Sequence, residues 1–363
     1  LWTKDAAARF EFIGCTTENV KVTGYANVGG LWGTSTGSLG PVGIYNCDLG
    51  GTAEAINVNG GICGGYGASA PVEIIGVDAT NLTATVNGSA IDKLVAYTET
   101  SANTQPNAAS KYQAVKNENG EWEAVDTSEG GPVEIVATVN GAPYTSLSDA
   151  ISAAQANDTI KLLKDLVLDQ GFYIVNKPGI TIDGDGHSIN ASASFTNNSY
   201  GQHNLMKIDS SNGVTVKNLT LITNEKAKHA LDIYGSDNVI LENVKLDHSA
   251  AENGAALVIN QSKVTAKGNF DVVVGNASWY GINVDDKGVE NSSALTFDSS
   301  VNFTFTDTSE GQNKEIIFVE PNTDPDTAVI HPENAGLVSN GDGTFDPAPI
   351  SGSTSYAITV EKA

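Results

Sequence analysis

The chain has 363 residues, of which 40% are apolar and only 17% charged, with 38 glycines; this is length enough for a sizeable core in two or three domains. Its formal net charge of -24, from 43 acidic against 19 basic residues, repels polyanions and argues against nucleic acid or an anionic membrane surface as partner. Arg9 is the only arginine, so bidentate recognition of phosphate or carboxylate is nearly out of reach.

In chain order, Leu1 falls inside a repeat with no signal peptide before it, so the chain reads as a mature or trimmed fragment. Ile13-Gly14-Cys15 through Asn27 and Gly29-Gly30-Leu31-Trp32-Gly33 recurs as Tyr45-Asn46-Cys47 through Val58 and Gly60-Gly61-Ile62-Cys63-Gly64, at an offset of 31 to 32 residues. Glycines at such positions suit strands at close backbone approaches. The three cysteines, Cys15, Cys47 and Cys63, have no CxxC spacing and no histidine nearby. They read as small core residues rather than zinc ligands, with a single Cys15–Cys47 bridge left open. The two glycine-rich segments resemble the GLUG motif of bacterial adhesins and surface peptidases. The second departs from it at Asn59.

Residues 1–70 are therefore expected to form GLUG-like rungs, and residues 71–133 a small β-rich connecting module. The second stretch holds Pro71, Gly88, Pro106, Gly120, Gly130 and Pro132, with strand-like Leu94–Tyr97 and Tyr112–Val115. Asn117–Gly120 followed by Trp122 predicts a hairpin turn.

From 134 to 363 the pattern changes. Ser146 is an N-cap candidate, and Leu147, Ile151 and Ala154 share a face, which predicts a short amphipathic helix. Asn157-Asp158 ends it, and Thr159 opens a strand. Repetition then dominates. Ser211–Leu221 recurs as Ser236–Leu246, offset by 25, and from Ser262 to Asn269 and beyond, offset by 26 with one inserted residue. Val214, Val216, Leu219 and Leu221 match Val239, Leu241, Val244 and Leu246, with Asn218, Asn243 and Asn269 interrupting each copy. Upstream, Met206 and Ile208 match Leu231 and Ile233, then Leu257 and Ile259, then Ile282 and Val284. Strands this short bury an apolar face only by stacking on their predecessors.

Those residues resemble the right-handed parallel β-helix of the pectate-lyase-like superfamily, over roughly residues 134 to 320. The three asparagines resemble its inward asparagine ladder. Gly179–Ile189 resembles its second rung, and the helix a lid over the open end of the coil. The resemblance implies an all-β solenoid with a capping helix and terminal strands. It also implies a secreted or surface-displayed bacterial protein, expected as a monomer.

One column follows the upstream strands: Asp209, Tyr234, Asn260 and Asp285, with Trp279 nearby. Carboxylates and amides beside aromatic rings suit a sugar, whose hydroxyls need polar partners and whose ring faces stack. These five residues are the candidate ligand face. Asp285-Asp286 weakly resembles the adjacent aspartates of polygalacturonase-like hydrolases, but their Gly-His-Gly and Arg-x-Lys motifs are missing, as is the arginine base of pectate lyases. No catalytic residue, metal ligand or cofactor is predicted beyond loosely bound calcium, for which Asp183–Asp185 and Asn340–Asp346 carry alternating oxygen ligands. The leading expectation is a non-catalytic, adhesin-like or glycan-binding module whose partner is a host or dietary glycan or a surface protein. The alternatives are a polysaccharide-cleaving enzyme and a passive stalk. No apolar run approaches the ~20 residues of a membrane span.

Overall fold

The computed structural model describes residues 10–24, 31, 42–55, 72–91, 112–127, 132–196 and 203–348. The chain is mostly β, with few and short helices. It divides into two compact units. The first comprises Leu1–Asn117, Glu121–Glu134 and Gly141–Thr145; the second comprises Glu118–Gly120, Ile135–Asn140 and Ser146–Ala363.

In the first unit, Phe10–Ile13, Val42–Tyr45 and Val72–Ile75 pair in parallel, with Phe10 opposite Val42 and Val42 opposite Val72. Thr16–Gly24, Asp48–Ala55 and Asp78–Val86 pair in the same sense, and Ser89–Ile91 folds back antiparallel. Ile44, Cys47, Leu49, Ile74, Val77 and Leu82 form the core, with Phe12, Cys15 and Leu31 packed against it. Both described cysteines are thus apolar packing residues carrying free thiols, and burial pushes the Cys47 thiol up to about 11.

The parallel pairing runs past residue 70, through Val86, into the stretch expected to begin the connecting module. Its signal is Pro41-Val42-x-Ile44 with Asp48, repeated as Pro71-Val72-x-Ile74 with Asp78. The glycine-rich motif recurs at 31 to 32 residues and so does not share this exact 30-residue period. The expected hairpin forms between Tyr112–Lys116 and Trp122–Asp126, and Trp122 stacks on buried Tyr45 at 3.9 Å. Gly29-Gly30, Trp32-Gly33 and Gly60–Gly64 (with Cys63), Leu94–Tyr97, Pro71, Pro106, Gly130 and the tail beyond 348 lie outside the described residues.

The second unit is built on two parallel sheets visited alternately along the chain. One runs Phe172–Val175, Met206–Asp209, Leu231–Tyr234, Ala255–Asn260, Tyr280–Asp285 and Glu315–Val319. The other includes Thr159–Leu162, Thr181–Asp183, Thr215–Ile222, Val239–His248, Lys263–Val274 and Ala294–Phe297. The repeat offsets set the register: Met206 faces Leu231, Leu231 faces Leu257, and Leu257 faces Ile282. These residues and their partners Ile208, Ile233, Ile259 and Val284 are fully buried, as are Val214, Val216, Val239 and Leu241 of the second sheet. Each such side chain contributes about 1.5–3 kcal/mol of burial.

Two polar ladders run along the parallel sheets, one at the surface and one in the core. The asparagines do stack, Asn243 Nδ2 donating to Asn218 Oδ1 at 3.1 Å and Asn302 Nδ2 to Asn269 Oδ1 at 3.1 Å. Contrary to expectation the ladder is not inward, for Asn243 and Asn269 are exposed. Asn218 and Asn243 adopt left-handed φ of 52° and 54°, which turns the chain at the corner and sends the next residue, Leu219 or Val244, into the core. In the third copy the inserted Gly268 takes the left-handed corner at φ 61°, producing a bulge in the pairing. The inward ladder is made of serine. Ser236 Oγ accepts the Ser211 N–H at 2.9 Å, and Ser262 Oγ accepts the Ser236 N–H at 3.0 Å. All three serines are fully buried, and each hydroxyl also bonds the carbonyl two residues back.

Helix Leu147–Ala153 is capped as expected, Ser146 Oγ accepting the Asp149 N–H at 3.3 Å, and buries Leu147, Ala150 and Ile151. Near the end of the described chain, Leu337–Ser339 and Phe345–Pro347 form a hairpin across the expected Asn340–Gly343 turn. Among the described residues no helix is long and apolar enough to cross a membrane.

Candidate functional site

Alternation along the first sheet of the second unit gives its outward residues two rows. Pairing register places Asp209 beside Tyr234, Tyr234 beside Asn260, and Asn260 beside Asp285, so the four column residues are stacked neighbours. A second row, two residues earlier on the same face, runs Lys207, Asp232, Val258 and Asn283.

A cavity of about 430 Å³ opens on this face. Asp232, Val258, Asn260 and Asn283 line it from the strands, and Lys228, His229, Trp279 and Tyr280 from the adjoining turns and strand start. Of the five expected ligand residues, Asn260 and Trp279 line the cavity. Asp209, Tyr234 and Asp285 are not among its lining residues; each contacts a lysine of the same face. Lys207 Nζ lies 3.4 Å from Asp209 and 3.7 Å from Asp232, and 5.4 Å from the Tyr234 ring centre. Lys287, a lining residue, pairs with Asp285 at 2.7 Å, and that bond raises its ammonium above the ordinary lysine value.

Asp232 is the most perturbed acid of the site. Burial pushes its carboxyl above the ordinary range; the Lys207 ammonium opposes this and Asp209 adds to it. Asn204 Nδ2 donates to one of its oxygens at 2.7 Å. The other oxygen, and the side-chain oxygen of Asn260, are buried with no hydrogen-bond partner. Leaving two acceptors unpaired on a polar wall costs about 1–3 kcal/mol each, the kind of deficit concentrated at binding sites.

The aromatic wall is Trp279 and Tyr280. Trp279 is 51% exposed, and Lys228 Nζ sits 5.1 Å from its ring centre. Its backbone N–H donates to the Gly254 carbonyl at 2.7 Å. Gly254 has φ +94°, and a Cβ there would come within 2.5 Å of the Lys228 carbonyl and 2.7 Å of the His229 ring. Tyr280 stacks on Phe318 at 4.4 Å, and Asn283 Nδ2 donates to Glu320 at 3.0 Å. Burial holds His229 down to about 3 and His248, behind the wall, down to about 4, so both rings are neutral near pH 7.

The adjacent aspartates are divided by the backbone. Asp286 is 1% exposed and spends its oxygens on the Asn291 N–H at 2.9 Å and the Ser293 N–H at 2.7 Å, closing a loop. Among the described residues no group of His, Cys, Asp and Glu is arranged to hold a metal ion. Asp183 takes Asn218 Nδ2 and Lys217, and Asp342 takes the Thr344 N–H at 3.1 Å, both as turn ties.

The column missed Lys207, Asp232 and Asn283, which precede Asp209, Tyr234 and Asp285 by two residues. Period-two alternation carries that signal, because residues i and i+2 share a face. Lys228 and His229 lie just before a strand, the Lys228 N–H donating to the His203 carbonyl of the preceding copy at 2.8 Å, and no apolar alternation marks them as wall residues.

No protein family, no curated protein and no solved structure matches the chain.

Proposed function

We propose that the chain is an extracellular bacterial surface protein that binds a neutral glycan, without cleaving it, at the Trp279 cavity of a right-handed parallel β-helix. The alternating parallel sheets and their 25-residue register support the coil, and parallel crossover connections are overwhelmingly right-handed. The observation that carries the binding reading is Trp279, half exposed beside a polar wall with two unpaired buried acceptors. The indole offers a flat apolar platform for a pyranose face, while Asp232, Asn260 and Asn283 offer hydroxyl partners. Charge on the wall is nearly self-compensated, Lys207 with Asp209 and Asp232, and Lys287 with Asp285, which favours an uncharged ligand.

A second reading, a polysaccharide-cleaving enzyme, is favoured by the raised Asp232 carboxyl and by Asp209 sharing its lysine. Those are the ingredients of an acid and a base held close together.

The test is a broad glycan array probed with labelled full chain, with and without calcium, against Trp279→Ala and Asn260→Ala. Binding to neutral glycans that both substitutions weaken supports the reading, and release of reducing ends from a bound glycan moves it to the enzyme. A blank array, or binding indifferent to both substitutions, overturns the glycan reading.

A further inference from the structure

His248 closes the strand Val239–His248 and is fully buried behind the cavity wall. Its Nε2 lies 2.7 Å from the Lys228 carbonyl, and a carbonyl only accepts, so Nε2 carries the proton of the neutral ring. Nδ1 is then an acceptor facing Ser278 Oγ at 2.8 Å, and the one proton of that hydroxyl is shared between Nδ1 and the His248 carbonyl at 3.2 Å. The same hydroxyl accepts the Gly275 N–H at 3.0 Å, which fixes the turn leading to Trp279. One ring therefore spans two separate turns. The residue it holds on one side carries the ammonium over the indole, and the residue on the other side precedes that indole in the chain.

We propose that His248 is the positioning residue of this wall, its neutral ring tying the Lys228 turn to the Ser278–Trp279 turn and letting go of them when it takes a second proton. Its meaning for ligand binding rests on the reading of the cavity as a glycan site. The imidazolium would be a charge in a fully buried place whose direct partners, a carbonyl and a hydroxyl, are neutral. The groups that bear on it are the Lys228 carbonyl, the Asn253 backbone and Asp247 on its own strand, all of which favour charge, while neighbouring His229, held lower still at about 3, is neutral where His248 titrates. Burial dominates these and holds the ring at about 4. Below that value the least costly relief is hydration, which requires the Ser278–Trp279 turn to lift and the indole to leave Lys228.

The test needs no ligand, so its failure and that of the glycan reading are separable. Trp279 emission is isolated as the difference between the full chain and Trp279→Phe, and is followed from pH 7 to pH 3 beside far-ultraviolet circular dichroism. The expected result is a red shift and increased iodide quenching of Trp279, with a midpoint near pH 4 and secondary structure retained. His248→Gln, which keeps a donor for the Lys228 carbonyl without a titrating ring, should lose that midpoint. Ser278→Ala, which cuts one tie, should show the quenched, red-shifted state already at pH 7. A Trp279 signal that moves only with loss of secondary structure, or that titrates unchanged in His248→Gln, or a native-like signal in Ser278→Ala at pH 7, overturns the proposal.

Discussion

Replacing Lys207 by Met tests the electrostatics of the cavity face. Lys207 is 9% exposed, and its ammonium lies 3.4 Å from Asp209 and 3.7 Å from Asp232. At an effective dielectric constant of about 20, each contact is worth roughly 4–5 kcal/mol before the cost of desolvation. Most of that gain is spent on burying the ammonium and Asp232. Removing the lysine alone leaves Asp232 buried beside Asp209 with its charge uncompensated, and the expected loss is about 3–5 kcal/mol at pH 7. With an m-value of about 2–3 kcal/mol/M, the urea midpoint of the affected transition, followed by circular dichroism, should fall by about 1–2 M. Burial already raises the Asp232 carboxyl, so it can escape by taking a proton and the loss should shrink as pH falls. The double variant Lys207→Met/Asp232→Asn, with no charge left to compensate at position 232, should recover most of the stability. A single-variant loss under about 1 kcal/mol, or a double variant as unstable as the single, would refute the reasoning.

Three further outcomes follow from the geometry. Gly254→Ala should destabilise by about 1–3 kcal/mol in thermal unfolding and should increase iodide quenching of Trp279, because a Cβ at φ +94° meets the Lys228 carbonyl at 2.5 Å. Ser236→Ala should cost about 1–3 kcal/mol in urea unfolding, since it leaves the buried Ser211 N–H without its 2.9 Å acceptor. His229 and His248 are depressed from 6.5 to about 3 and about 4, so the unfolded chain binds more protons below about pH 6.5. Stability should therefore fall as pH drops through that window, by at most about 1.4 kcal/mol per pH unit for each ring, while the raised Asp232 works in the opposite sense. Urea midpoints between pH 7 and 4 check this, and His248→Gln should flatten the slope by one histidine's share.

Much of the strand register was legible because stacking demands it. The 25- and 26-residue offsets placed Met206, Leu231, Leu257 and Ile282 in one row, and the pairing agrees. The same offsets stacked Asp209, Tyr234, Asn260 and Asp285. Two things were not legible. Direction was one: a recurring asparagine and a recurring serine look alike in a repeat, yet the left-handed corner puts the asparagines outside while the serines turn inward to bond backbone. Non-repeated contacts were the other. Lys228 meets Trp279, and His248 meets Ser278 and the Lys228 carbonyl, through side-chain contacts between turns that strand periodicity does not encode. The third parallel layer of the first unit was legible in Pro41–Asp48 and Pro71–Asp78, but the louder glycine motif pointed to a shorter array.

The most direct measurement is calorimetric titration of the neutral oligosaccharide ranked first on the array into the full chain and into Trp279→Ala at pH 7. Loss of the indole platform should weaken binding by about 1–2 kcal/mol, a factor of roughly 5 to 30, with the fold unchanged by circular dichroism. Equal affinities for the two proteins would place the sugar elsewhere and contradict the account.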